Sequence, residues 1–273
     1  MYAIDFEYDG QYLSDYGLII CHFDYSTGTA VADAGSRITF EKVSRNYGKS
    51  YSLASTRYNE CITTTFDICK NPDLYEEYED RQISNDEYRD LMRWLNRREF
   101  LKFQVFDEDD KERDTCYYNV SFNVEKIKIA EVLYGLRLTL ESDKPFGYGQ
   151  EQSVSWTFSD TSVAKILSDM SDEVGYIYPN VKITCYANGD LSIYNELLDT
   201  TTVIKNCKVG EVITLDGNAQ IIATTYSSHD ICDDFNYEFF KIGNTINNRN
   251  NRISVSAPCA LEIKYEPIIK DTP

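Results

Sequence analysis

The chain has 273 residues, of which 42% are hydrophobic and 14% aromatic, and its formal net charge is −18 at pH 7. This acidity excludes a basic face for neutralising phosphates, so tight nucleic-acid binding is not expected. No run of about eighteen apolar residues occurs, and the first residues are acidic, which argues against a membrane span and a secretory signal. We therefore expect synthesis in the cytoplasm.

The length suggests two domains, on a prior of roughly 100–200 residues for each. The 22 tyrosines and 13 phenylalanines stand beside many Thr, Ile and Val residues, a profile that favours pleated, half-buried strands. We predict a mainly β fold with domains at 1–149 and 150–273. The composition changes after Pro145, and residues 147–152 are the predicted linker.

The first predicted elements are two strands joined by a tight turn. Residues 2–8 and 17–24 form the strands, and Asp9-Gly10 supplies the left-handed backbone that the turn needs. Residues 25–36 are small and polar without a period, which predicts a loop. Further strands are predicted over residues 37–43, 59–69, 100–106, 116–128 and 132–141.

The clearest predicted helix begins at Ser84. Ser84 and Glu87 match the capping box, in which each side chain satisfies a free backbone donor of the other residue. An apolar stripe with helical spacing follows at Tyr88, Leu91, Met92 and Leu95. Such a stripe favours a helix packed on a β-sheet rather than a cofactor groove.

An acidic stretch at 107–114 lies between two predicted strands. It could be read as a calcium loop, but it lacks the glycine and the spaced terminal glutamate of an EF-hand. A solvated hairpin tip is the better interpretation.

The second half begins with a predicted strand at 153–158. Apolar residues then recur at helical spacing and predict a second, shorter helix that ends near Gly175: Val163, Ile166, Leu167, Met170 and Val174. After this helix, short strands alternate with turn residues, a rhythm typical of a β-sandwich or jelly roll. They are predicted at 181–186, 191–194, 211–215, 219–224, 252–256 and 260–265.

Several of these segments, in this order, resemble the distal tail (Dit) proteins of siphophages. Residues 6–10 with 14–20 and residues 134–148 resemble the start and end of the Dit N-terminal domain, and 94–103 with 117–119 resemble passages between them. In the second half, the segments similar to the galectin-like C-terminal domain of longer Dit proteins are 177–183, 189–193, 210–214 and 234–237.

The resemblance implies a tail-tube-like N-terminal β-sandwich with one packed helix and a galectin-like C-terminal sandwich. It further implies a structural role at the virion tail tip, where a homo-hexameric ring joins the tail-tube protein to the tail-associated tip protein. The tape-measure protein is a further candidate partner. DNA would pass through the lumen without specific binding, and acidic residues of 1–149 would help to keep the lumen from holding it.

Catalytic, cofactor-binding and metal sites are not expected. The eight cysteines form no C-x-x-C pair and none lies at zinc spacing from a histidine. We expect those in strand-like runs to be buried as small hydrophobes, namely Cys61, Cys69, Cys116, Cys185 and Cys259. A disulfide framework is not expected of a cytosolic chain of this length.

The chain has only two histidines. His22, between Cys21 and Phe23, is expected to be packed or hydrogen-bonded in a strand. His229 follows two serines and could imitate a nucleophile with its base, but no G-x-S-x-G elbow supports this reading. Paired carboxylates for glycoside hydrolysis stay open, because 45 acidic residues allow chance pairs.

An alternative function is a carbohydrate-binding adhesin module in the second half. Aromatic rings that stack on sugars would come from Trp156 or from the tyrosines at 176, 178, 186, 194, 226 and 237. Burial in the sandwich explains these tyrosines equally well, and the galectin sugar-reading residues are not recognisable.

Overall fold

The computed structural model describes residues 5–23, 38–44, 51–58, 60–106 and 116–270. They form two compact units, the first comprising the described residues up to Tyr148 together with Lys270, and the second spanning Gly149–Ile269. Strands dominate both units, which confirms the predicted mainly β fold. The predicted loop at 25–36 and the acidic stretch at 107–114 lie outside the described residues.

The first unit contains one large sheet and one separate hairpin. Its strands are β1 (Asp5–Tyr8), β2 (Gln11–Tyr12), β3 (Leu18–Cys21), β4 (Ile38–Ser44), β5 (Tyr51–Tyr58), β6 (Thr63–Lys70), β7 (Leu101–Phe106), β8 (Tyr118–Ile129), β9 (Val132–Ser142) and β10 (Gly147–Tyr148). Seven of them form an antiparallel sheet of order β2-β1-β7-β8-β9-β6-β3, and β4 pairs with β5. The sequence predicted β4 but not β5.

The large sheet curls over its own apolar face. Strands lie about 4.8 Å apart, so β1 and β6, four positions apart in the sheet, would be separated by roughly 19 Å in a flat sheet. The ring centroids of Phe6 in β1 and Phe66 in β6 are only 5.8 Å apart. One curled sheet therefore supplies both layers of the predicted N-terminal sandwich.

The predicted capping box begins the helix of this unit, α1 (Asn85–Leu95). The Glu87 backbone N–H donates to Ser84 Oγ at 3.3 Å, and the Ser84 N–H donates to Glu87 Oε2 at 2.7 Å. Lys70 Nζ lies 2.7 Å from Glu87 Oε1, which ties this cap to β6. The local signal therefore determined where the helix starts.

The buried face of α1 closes the curled sheet. Leu91 and Leu95 of the predicted stripe are buried, and so is Trp94, which the stripe did not include. The indole Nε1 of Trp94 donates to the carbonyl oxygen of Tyr8 at 2.9 Å, and its ring stacks on Tyr16 with centroids 4.5 Å apart. The helix is thus held by polar as well as apolar contacts.

The second unit is a β-sandwich. Its elements are β11 (Gln152–Phe158), β12 (Lys165–Ser168), β13 (Gly175–Ile177), β14 (Asn180–Cys185), β15 (Gly189–Asn195), β16 (Thr200–Cys207), β17 (Val212–Asp216), β18 (Ile221–Thr224), a short helix α2 (Ile231–Asp234), β19 (Ile242–Asn244), β20 (Asn250–Val255), β21 (Cys259–Tyr265) and β22 (Ile268–Ile269). A sheet of order β11-β21-β14-β17-β18 and one of order β12-β20-β15-β16 contribute to a single apolar core.

Two local predictions for this half of the chain are wrong. The apolar residues of 163–174 form no helix; strand β12 occupies 165–168, and only Leu167 of the predicted stripe is buried. The apolar residues had the spacing of a helix by coincidence, because some belong to strand β12 and the others to the turns and loops beside it. The predicted linker is also wrong at its start, since residues 147–149 are buried and 147–148 form β10.

Candidate functional site

The β4–β5 hairpin, here called the arm, exposes apolar side chains. The exposed fractions are 48% for Ile38, 55% for Phe40, 56% for Val43 and 57% for Leu53. The register places Ile38 opposite Tyr58 and Phe40 opposite Thr56, so Ile38 and Phe40 share one face of the ribbon. A two-stranded ribbon with this much exposed apolar surface is marginal by itself and is typical of a segment that packs on a partner.

The second unit has a shallow groove of about 470 Å³ on the outer face of its five-stranded sheet. Lys182 of β14 and Glu262 of β21 lie across from each other on this face, with Nζ and Oε2 3.9 Å apart. Thr214 and Ala223 add small side chains to the lining. The groove is therefore open and mostly apolar in its lining, with one ion pair on it.

The aromatic residues considered for sugar stacking do not line this groove. Trp156 is half-buried and packs edge-on against Phe158, with centroids 6.1 Å apart. The six tyrosines are not buried, which corrects the explanation by burial: residues 176, 186, 226 and 237 are exposed, and 178 and 194 are half-buried. Among them, Tyr176 and Tyr178 form an edge-on pair at 5.5 Å.

The structure places the two histidines differently from the prediction. His22 lies just after β3 and is exposed, so the expectation of a packed strand residue is wrong. The apolar neighbours that suggested packing are themselves only half-buried. His229 is the buried one, with 8% of its surface exposed.

His229 lies between two carboxylates. Its Nδ1 is 2.6 Å from Oε1 of Glu211, and its Nε2 is 3.2 Å from Oδ2 of Asp234. The second contact is an ion pair outside hydrogen-bond geometry, since Nε2 has no aligned acceptor. Thr224 Oγ1 also donates to Glu211 Oε1, and the Lys208 N–H donates to its Oε2 at 2.8 Å. The partners of this imidazole are thus carboxylates distant in sequence, which the serine neighbours did not indicate.

The charges of this cluster stabilise each other. Burial acts to lower the pKa of His229, but the hydrogen bond and charge of Glu211, helped by Cys207 and Asp234, raise it above its ordinary value. Burial acts to raise the pKa of Glu211, yet the hydrogen bonds from Thr224 and His229 hold it below its ordinary value. The pair is a buried structural ion pair that ties the segment before α2 to β17 and β18.

The thiols range from buried to exposed, and Cys232 is the exposed one among the described residues. Cys185 and Cys259 are buried as predicted, and Cys207 is buried as well. Cys61, Cys69 and Cys116 are only half-buried, which corrects that expectation. Side chains of an extended segment alternate between its two faces, and these three thiols lie on the face that is more exposed to solvent. Within the described ranges, no group of three or more His, Cys, Asp or Glu residues is arranged to hold a metal ion.

No helix among the residues that the structure describes is long and apolar enough to cross a membrane.

Comparison with known proteins identifies the family. The model of the phage tail protein N-terminal domain matches residues 1–144, and that of the phage tail C-terminal domain matches residues 146–265. A curated relative is the SPbeta prophage-derived uncharacterized protein YomH of Bacillus subtilis (strain 168). It is 23% identical over 191 residues, which is 69% of this chain and 71% of the relative.

A solved structure has the same fold. The chain matches the crystal structure of SPP1 Dit, described as a paradigm of the hub adsorption apparatus in phages that infect Gram-positive bacteria, with a TM-score of 0.65 and 12% identity. The match covers 96% of this chain and 98% of the SPP1 chain. The resemblance read from the sequence is confirmed: this chain belongs to the phage tail protein family, has the Dit fold and is a structural component of a virion tail.

Proposed function

We propose that six copies of this chain form a ring at the tip of a non-contractile tail, where the ring joins the tail tube to the tail-associated tip protein. The first unit would build the ring and the second would face outward. In this proposal the role is mechanical and not enzymatic. The tape-measure protein is a further candidate partner, and assembly would take place in the host cytoplasm.

The exposed arm is the observation that carries the proposal. A closed ring needs a heterologous interface, in which two different patches of each subunit meet. Phe40 and Leu53 are each more than half exposed on a ribbon separate from the large sheet. Packing this arm on the next subunit would bury its apolar side chains and stabilise a ribbon that is marginal alone.

The edges of the large sheet agree with this assignment. The edge strands are β2 with two residues and β3 with four residues. Such short edge strands have few unpaired backbone N–H and C=O groups with which another chain could pair. We therefore assign the intersubunit contact to the arm rather than to edge-to-edge pairing of the large sheet.

The oligomeric mass in solution tests the proposal. The protein should have the mass of a hexamer, and Phe40→Asp should shift it toward the monomer because a carboxylate would be buried in the interface. Ile246→Asp is the matched control, since Ile246 is 87% exposed in the second unit, and it should leave the hexamer intact. Mass photometry over a concentration series measures all three proteins.

A monomer at every concentration, both alone and with the tube and tip proteins, would contradict the ring. Immunogold labelling of particles gives an independent check, because an antibody to this chain should label the tail tip only.

A second candidate function is glycan binding by the second unit. The open groove with its Lys182–Glu262 ion pair and the exposed tyrosines, notably Tyr176 at 58% and Tyr237 at 68%, favour it. Sugar faces stack on exposed aromatic rings, but these rings do not line the groove. Titration of the full protein with glycans of the host wall, followed by calorimetry, tests this function: saturable binding supports it, and heats no larger than dilution contradict it.

A further inference from the structure

Two thiols meet on adjacent strands of the first unit. In the β3–β6 ladder, Cys21 lies opposite Asp67 and Ile19 lies opposite Cys69. Cys21 and Cys69 are therefore diagonal neighbours on one face of the sheet. Diagonal neighbours across two strands are within reach of each other's side chains.

The pair is accessible from outside the core. Both thiols are half-buried, whereas Phe66 and Ile68, on the opposite face of β6, belong to the apolar core. The charged neighbours on the same face are Asp67 and Arg137, and the Asp67 carboxylate accepts from Arg137 Nε at 2.8 Å. A small oxidant can therefore reach these thiols without unfolding the unit.

Cys21 lies at the end of an edge strand, where the backbone can shift. Cys21 is the last residue of β3, and β3 is an edge strand with a partner on one side only. The ring of Phe23 lies over Gly135, the residue opposite Cys69 in β9, where an added Cβ would meet it at 2.5 Å. Diagonal Cβ atoms lie up to about 7 Å apart, and a disulfide needs about 3.5–4.5 Å, so the free end of the edge strand has to move inward.

The two thiols flank the arm in the sequence, so a bond between them would affect the arm. The chain leaves the sheet after Cys21 and returns to it in β6, and the arm lies between them. A bond between Cys21 and Cys69 would close the segment that carries the arm into a covalent loop at its base. Closing a loop of this kind stabilises a fold mainly by restricting the unfolded chain.

We propose that Cys21 and Cys69 are a redox-closed staple at the base of the arm, which forms a disulfide by exchange with a low-molecular-weight disulfide. The proposal goes beyond the ring and does not depend on it. A tail protein passes from a reducing cell to an oxidising exterior, where disulfides persist.

The two sulfurs are neighbours, so the exchange can start from the thiolate of either one, here Cys69, because the thiolate is the nucleophile. It attacks one sulfur of the small disulfide and releases one small thiolate. Cys21 then loses its proton, attacks the Cys69 sulfur and releases the second small thiolate. In total, one small disulfide is reduced to two thiols and the two cysteines are oxidised to a disulfide.

Peptide mapping tests the staple. The full-length native protein is incubated with oxidised glutathione, quenched with acid, alkylated with N-ethylmaleimide and digested without reductant. We expect a cross-linked peptide pair that contains Cys21 and Cys69 and lacks two hydrogens, while Cys61, half-buried in the same unit, stays alkylated. Recovery of both thiols in alkylated form, or arrest at glutathione adducts, would overturn the proposal.

Single variants and a stability measurement separate the staple from general oxidation. Cys69→Ser should abolish the cross-link, and the matched control Cys61→Ser should retain it. The oxidised protein should unfold at a higher temperature than the reduced protein, and this shift should vanish in Cys69→Ser. If Cys69→Ser does not fold, the oxidised wild-type protein can instead be cleaved by trypsin after Arg57, which lies in the arm between the two cysteines. The fragments on either side of the cut should stay joined until reductant is added. Fragments that separate without reductant would overturn the staple.

Discussion

Removing His229 would leave Glu211 as a buried carboxylate without its main positive partner. His229→Gln should lower the free energy of unfolding of the second unit by about 3 kcal/mol. This is the lower end for a broken buried ion pair, because Thr224 and Lys208 still hydrogen-bond to Glu211. Urea unfolding at neutral pH measures the effect. His22→Gln is the matched control and should change nothing, since His22 is exposed.

The same pair predicts a pH window for the stability of the second unit. The pKa of His229 is raised, so its stabilising effect is complete below the unfolded value of about 6.5 and is lost as the pH rises through the folded value. The pKa of Glu211 is lowered, so its effect is complete above about 4.3 and is lost as the pH falls through the folded value.

Stability should therefore be greatest between these two values, and His229→Gln should flatten the alkaline side of the profile. Urea midpoints of the two proteins across this range measure it. Parallel alkaline sides in both proteins would contradict the assignment of the window to this histidine.

At the scale of the element, helix α1 owes its start to two reciprocal hydrogen bonds. Ser84→Ala should lower the free energy of unfolding of the first unit by about 0.5–2 kcal/mol, because the Glu87 N–H loses its acceptor. Arg89→Ala is a matched control in the middle of the same helix, where an exposed side chain should change stability by less than about 0.5 kcal/mol. Equal losses in the two variants would contradict a specific capping role.

At the scale of the whole molecule, the two units have separate apolar cores with no residue in common. Each core holds or contacts one of the two tryptophans: Trp94 in the first unit and Trp156 in the second. We expect two unfolding transitions, because residues that share one apolar core unfold together and the two cores are separate.

Fluorescence of proteins with one tryptophan replaced by Phe can separate these transitions. Ser84→Ala should shift only the transition reported by Trp94, and His229→Gln only the one reported by Trp156. The independence of the units would be contradicted if Trp94 and Trp156 reported one common transition. In that case Ser84→Ala or His229→Gln would shift the midpoint by the same amount for both tryptophans.

Local signals in the sequence were sufficient for much of the secondary structure. The Asp9-Gly10 turn, the Ser84–Glu87 cap and the alternation of Phe66 and Ile68 each depend on dihedral preferences or on burial of one face. Such signals lie within a few residues of the chain. The apolar spacing of 163–174 failed because the same pattern can arise from a strand and its flanking turns.

By itself, the sequence determined the mainly β class, the start of α1 and the resemblance to tail proteins, because these follow from local preferences and from the order of segments. Only the tertiary structure decided that Phe6 meets Phe66, that Glu211 holds His229 and that Cys21 lies diagonally across from Cys69. Each of these contacts depends on which strands pair and how far a sheet curls. The physical reason is that pairing and curvature minimise the free energy of the whole chain, which no short window of residues encodes.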